Sequence, residues 1–220
     1  GEHSFFDDIA LREDGGTPGF LQCIRTALAI KVKDAMGVKN IALREKEITD
    51  YVMDNLSKNE RVVMLEPNMK DRLAIVSFYV LGAHYNLVVR ILNDRFGVQT
   101  RGGCSCAGTY GHILLNVDHD TSNKITEKIN LGDYAEKPGW IRASFHPTMT
   151  NKEIEFVVDA INKVTENIDQ WSQEYRFNPA TGDFEHCNLA VEFPALKGFD
   201  PMHSCSLNKT SPSILHRIFG

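Results

Sequence analysis

The sequence predicts an α/β domain in which helices pack on a sheet of short strands, and three observations carry that prediction. Apolar residues recur at helical spacing over residues 21–35, 41–56, 87–96 and 154–171. Between them, β-branched and aromatic runs at 61–65, 73–80 and 139–145 read at the strand period. Gly37, Gly97 and a set of proline- and asparagine-bearing turns stand where one period gives way to the other.

In chain order, DGGTP (residues 14–18) is the first punctuation, with Thr17 a good helix cap and Pro18 suited to a first helical position. Leu21, Ile24, Leu28, Val32 and Ala35 then share one helix face, and Cys23, Ala27 and Ile30 widen it to the stripe of a largely buried helix that Gly37 ends. A second amphipathic helix follows over residues 41–56. Two strands, 61–65 and 73–80, are separated by a polar turn at Pro67 and Asn68. Leu87, Val88, Ile91, Leu92 and Phe96 restore helical spacing before Gly97, and residues 98–100 re-enter as a strand. Residues 109–115 form a short apolar segment of open type, and 121–131 a polar helix. In 139–145, Ile141, Ala143 and Phe145 point one way and Trp140, Arg142 and Ser144 the other. An arginine inside a strand, on the face away from the core, needs a partner. Thr150 and Glu153 form a capping box with Met149 and Ile154 as its staple, opening a helix that runs to Trp171. Beyond it, 175–177 and 184–186 around Asn178, Pro179 and Gly182 suggest a hairpin, and 211–219 a terminal helix.

At 220 residues the chain can bury one sizeable core with a small second unit. A net charge of −5 without any basic block argues against sequence-independent nucleic-acid binding, which runs on phosphate neutralisation. No apolar run reaches the roughly 18 residues of a membrane span, so no membrane partner is expected. Five irregularly spaced cysteines do not make a secreted disulfide framework, and the expected location is cytoplasmic. The chain opens on Gly1 rather than a methionine, and an upstream segment is expected.

Chemistry concentrates in RGGCSCAG (residues 101–108), a glycine turn with two thiols at a strand end. Cys106 can be a nucleophile if Arg101 or a helix start favours its thiolate. Cys104 and Cys106 can equally be inert, or join His112, His119, Cys187 or Cys205 around a soft metal, although C-x-C lacks the usual zinc spacing. Arg142 can clamp a carboxylate or form a plain salt bridge. Gly16 and Thr17 at a helix start can hold an anion or simply cap the helix.

Three segments in this order resemble the pyridoxal-phosphate enzymes of the class V aminotransferase and cysteine desulfurase group. REDGGTP (residues 12–18) before a long helix resembles the family's entry to the helix linking its large and small domains. RGGCSCA (101–107) is similar to the R-x-G-H-H-C-A loop of one desulfurase subgroup, with Cys104 and Ser105 in place of two histidines. WIRASFHPTMTNKEI (140–154) is similar to the R-x-S-x-x-x-Y-N-T-x-x-E-[IV] segment, after a longer insert reaching about Pro138.

The resemblance implies a small C-terminal domain of the class V type, a mainly antiparallel sheet packed with helices. It divides the chain into 1–36, the end of a large domain and the linking helix, 37–171, the small domain, and 172–220, an appendage. It implies a homodimer and an amino-acid substrate. Thr17 and Gly16 would meet the pyridoxal phosphate of a partner subunit, Arg142 the substrate carboxylate, Arg101 the same neighbourhood, and Cys106 the sulfur of bound cysteine. None of the fourteen residues before Gly15 is a lysine, so the Schiff-base lysine of the family is absent and the chain is expected to be an inactive C-terminal portion of a larger enzyme. The competing expectation is a stand-alone interaction domain that kept the fold without catalysis.

Overall fold

A computed structural model describes residues 4–104 and 108–188. The chain divides into two compact units, Gly1–Glu185 and His186–Gly220; the core and the candidate site lie in the first. Its elements are α1 (Ile9–Glu13), α2 (Phe20–Met36), α3 (Val38–Leu56), β1 (Val62–Met64), β2 (Ile75–Val80), α4 (Tyr85–Phe96), β3 (Arg101–Gly103), α5 (Gly108–Leu114), α6 (His119–Asn130), β4 (Trp140–Ser144), α7 (Asn151–Trp171), β5 (Tyr175–Asn178) and β6 (Asp183–His186).

Strands β1 to β4 make one sheet in the order β1-β2-β4-β3, every pairing antiparallel, while β5 and β6 pair separately. The period-2 alternation of β2 buries Val76, Phe78 and Val80. Their cross-strand neighbours Ile141 and Ala143 of β4 are buried with them. Helices α3, α4 and α7 cover this face with Val52, Leu56, Val88, Ile91, Ile161 and Val164, all wholly enclosed. Each such side chain contributes about 1.5–3 kcal/mol relative to exposure, so this layer is the main source of stability. The opposite face, carrying Ile75, Ser77 and Tyr79, stays partly open.

The capping box exists as expected: Thr150 N–H donates to Glu153 Oε2 at 2.7 Å and Glu153 N–H to Thr150 Oγ1 at 3.3 Å. Arg44 of α3 fastens the same turn, donating to Met149 O at 2.9 Å and Asn151 Oδ1 at 2.7 Å. At the far end of α7, Arg61 grips Asp169 with both terminal nitrogens, at 3.0 and 3.2 Å. The hairpin is also present. Buried Tyr175 ties its first strand to the core, beside the Arg95–Glu174 ion pair at 2.6 Å.

Three expectations change. Helix α2 forms, yet none of its residues is buried; Leu21, Ile24, Leu28 and Val32 are each more than half exposed, with α3 the main neighbour of α2 among the described elements. Thr17 does not cap that helix, which starts at Phe20 after Gly19. Phe20 N–H donates to Pro18 O at 2.8 Å in a tight turn centred on Gly19 (φ −72°, ψ 61°), which separates Pro18 from the first helical turn. The strand expected at 98–100 is instead Arg101–Gly103, so the arginine and two glycines are themselves the strand. The segment of open type becomes α5. The terminal helix expected at 211–219 lies outside the described residues.

At the start of α4, His84 caps the helix: its Nδ1 accepts from Asn86 N–H at 3.2 Å. That nitrogen must be unprotonated to accept, and burial holds the imidazole below its ordinary value. The unfolded chain therefore binds the extra proton more readily. This contribution to stability is complete above about pH 6.5 and is lost as pH falls below it. Urea unfolding at neutral and mildly acid pH should show His84→Asn, which keeps a capping oxygen, losing less stability on acidification than the parent chain.

Candidate active site

Strand β3 is three residues long and lies at the sheet edge. Its register opposes Arg101 to Arg142, Gly102 to Ile141 and Gly103 to Trp140, while Arg142 also opposes Ser77 of β2. Residues directly opposite one another share a face, so Ser77, Arg142 and Arg101 form a row across the open side of the sheet. Arg142 is half-buried and its Nε is enclosed, with no hydrogen-bond partner among the described residues, whereas Arg101 is exposed. No ion pair among the described residues engages either guanidinium. The partner that the sequence demands for Arg142 is thus another arginine, of the same charge. Like charges directly opposite destabilise a sheet, and an enclosed donor without an acceptor costs more. An anion between the two forks relieves both, and a carboxylate matches their planar geometry.

What allows β3 to lie here is the absence of side chains at two glycines. A Cβ on Gly102 would stand 2.7 Å from Asn86 Oδ1 and 2.9 Å from the Tyr85 ring. One on Gly139 would stand 2.6 Å from the same ring and 2.9 Å from the Gly103 backbone. Tyr85, buried at the first position of α4, therefore lies directly against the backbone of β3 and of the turn entering β4. Trp140 is buried too, although it lies on the face away from the main core, because α5 covers it: a Cβ on Gly111 would stand 3.1 Å from its ring.

Cys104 follows β3 directly and is half-buried. With His112, Ser122, Thr126 and Lys137 it lines a cavity of about 110 Å³. Among the described residues no three histidine, cysteine or acidic side chains converge as a metal site. Cys106 lies outside the described residues. Gly16 and Thr17 are exposed before α2, and no hydrogen bond among the described residues joins them to Arg101 or Arg142.

The structure thus brings Arg101, Arg142 and Cys104 to one edge of the sheet. Sequence reasoning missed Tyr85 and Gly139. A lone tyrosine at a helix start carries no pattern, and only the pairing of Gly102 with a second glycine across the fold reveals the slot that it fills. Because the Gly139 neighbours are a packed ring and backbone, Gly139→Ala should cost about 1–3 kcal/mol of stability in chemical denaturation. An exposed glycine with open space around it, such as Gly108, should tolerate alanine.

Comparison with known proteins agrees with this architecture. Residues 2–157 match the family model described as aminotransferase class-V. A probable cysteine desulfurase of Halobacterium salinarum is 31% identical over 162 residues, covering 74% of this chain and 34% of that protein. A cysteine desulfurase of Haloferax volcanii is 27% identical over 165 residues, covering 75% and 34%. The solved structure of a cysteine desulfurase from Thermococcus onnurineus superposes with a TM-score of 0.52 at 26% identity, over 71% of this chain and 34% of that one. The chain spans about a third of the length of each relative. With a family match over most of its length and a mainly antiparallel sheet packed with helices in common with a solved relative, this chain belongs to the class-V aminotransferase family.

Proposed function

We propose that this chain is the C-terminal part of a pyridoxal-phosphate-dependent cysteine desulfurase-like enzyme, acting on a free amino acid as a cytoplasmic homodimer. The observation that carries the reading is the cross-strand row of Arg142 and Arg101, two guanidiniums that no ion pair among the described residues engages, with Arg101 three residues from the first of two closely spaced thiols. The chain's residues fit the edge of a cofactor and substrate site. Thr17 offers a hydroxyl and Gly16 a backbone N–H that no hydrogen bond among the described residues uses, suited to a phosphate reached from a partner subunit. When bound, pyridoxal phosphate supplies an electron sink for the substrate's α-carbon.

Within that frame Arg142 binds the substrate carboxylate bidentately, and its half-buried position strengthens the contact relative to one in open water. Arg101 adds positive potential from the edge strand, favouring both the carboxylate and a nearby thiolate. Cys106 is the nucleophile: its Sγ attacks the substrate sulfur, the substrate C–S bond breaks, and the carbon retains the electron pair and takes a proton. The products are alanine and a Cys106 persulfide. The Schiff-base lysine belongs to a part of the enzyme outside this chain, which makes the chain inactive alone. Domain limits follow the same reading, with 1–36 as the end of the large domain and linking helix, 37–171 as the small domain and 172–220 as an appendage.

In a full-length protein carrying this chain, sulfide release from cysteine should be abolished by Cys106→Ala. Arg142→Lys keeps the charge but loses the fork, and should raise KM for cysteine by about tenfold or more. Transamination that survives Cys106→Ala would make the enzyme an aminotransferase instead. A full-length protein that binds no pyridoxal phosphate would leave an interaction domain as the reading.

A further inference from the structure

The β5–β6 hairpin lies beyond residues 2–157, the span shared with the family. Its two aromatics, Phe177 and Phe184, stand 4.9 Å apart between ring centroids and close on the ring of His84, at 5.5 and 5.4 Å. His84 in turn stacks on Tyr85 at 4.4 Å. Beside this stack, Asn86 Nδ2 donates to Gly182 O in the hairpin turn at 2.6 Å. Two of these three residues also carry β3, since Tyr85 and Asn86 are what a side chain on Gly102 would strike. The Tyr85 phenol registers both neighbours: burial foremost holds it above its ordinary value, and Cys104 from the strand side and Asp183 from the hairpin side add to the effect.

Strand β3 has little else to hold it. It is an edge strand, two of its three residues are glycines with no side chain to pack, and its one arginine, Arg101, faces Arg142 of β4 across the ladder. Glycine also brings the largest entropy loss on ordering. The position of such a strand is set by whatever lies beneath it, which here is the Tyr85 ring together with Asn86 and Val89 of the same helix. The His84 ring lies against the Tyr85 ring, and the hairpin aromatics lie against the His84 ring in turn.

We propose that the β5–β6 hairpin positions residues 101–104 through the first turn of α4, with Tyr85 as the positioning residue that bears the strand and His84 and Asn86 as the contacts that receive the hairpin. That the positioned strand serves catalysis rests on the desulfurase reading above; that it is positioned by the hairpin does not.

The test is the rate at which iodoacetamide alkylates Cys104 in the full 220-residue chain, resolved by peptide mass spectrometry with exposed Cys23 as internal reference. Phe177→Ala with Phe184→Ala should raise the Cys104 rate about tenfold, as expected when a local opening loses its restraint, with Cys23 unchanged. Asn86→Ala, a milder loss of the hairpin tether, should raise it in the same direction and serves if the double variant does not fold. Tyr85→Phe, which keeps the ring, should restore the parent rate where Tyr85→Ala does not. A folded hairpin variant whose Cys104 rate equals the parent's overturns the proposal. So does amide exchange that rises through α7 as much as through β3, since that is general loosening. In the full-length enzyme the same variants should lower kcat/KM for sulfide release; faster alkylation without that loss would leave the positioning intact and count against the desulfurase reading.

Discussion

The contact between the Tyr85 ring and the backbone of Gly102 and Gly139 is the constraint on which the rest of this edge depends. An α-helix can approach a strand this closely only where the strand presents no Cβ. Two glycines on neighbouring segments remove that obstacle at one spot, and a flat ring fills it. Once α4 is seated there, the register of β3 on β4 follows, and with it the opposition of Arg101 to Arg142. A bulkier strand would lift off the helix, and the arginines would lose their common row.

That row sets a second constraint, electrostatic rather than steric. Folding normally avoids like charges facing one another on a sheet, and an enclosed guanidinium nitrogen without an acceptor adds to the cost. The main core, with Phe78, Ile141 and the helical residues around them wholly buried, is large enough to sustain such an unfavourable feature at the rim. Repulsion of this kind across a ladder is a cost that the rest of the fold has to outweigh. It also explains why the neighbouring strand needs support from elsewhere: the ladder alone gives β3 few favourable contacts.

Much of the fold was legible along the sequence because its signals are local. Periodicity placed α3, α4 and α7, the capping box fixed the start of α7 to the residue, and Gly97 in a left-handed conformation ended α4 where expected. Local signals misled where a distant contact decided the outcome. The apolar stripe of α2 marks a face suited to burial, but a stripe says nothing about what lies beside it, and among the described residues its main neighbour is α3. Residues 98–100 carry better strand propensity than an arginine and two glycines, yet the glycines became the strand, because propensity is weaker than the shape requirement imposed by α4. Candidate site residues were legible as chemical types; their mutual arrangement was not.

The sequence by itself determined the α/β class, the order and most limits of the elements, and the three motifs that resemble the class V family. Each of these depends on residues within a few turns of one another, where spacing alone fixes geometry. Only the tertiary structure decided that Arg101 and Arg142 oppose each other without an acid among the described residues, that Trp140 is buried beneath α5, and that Tyr85 bears the strand leading to Cys104. These follow from register and from the approach of elements far apart in the chain, and a shift of one residue in register would send Arg142 to the core face and Ile141 to solvent.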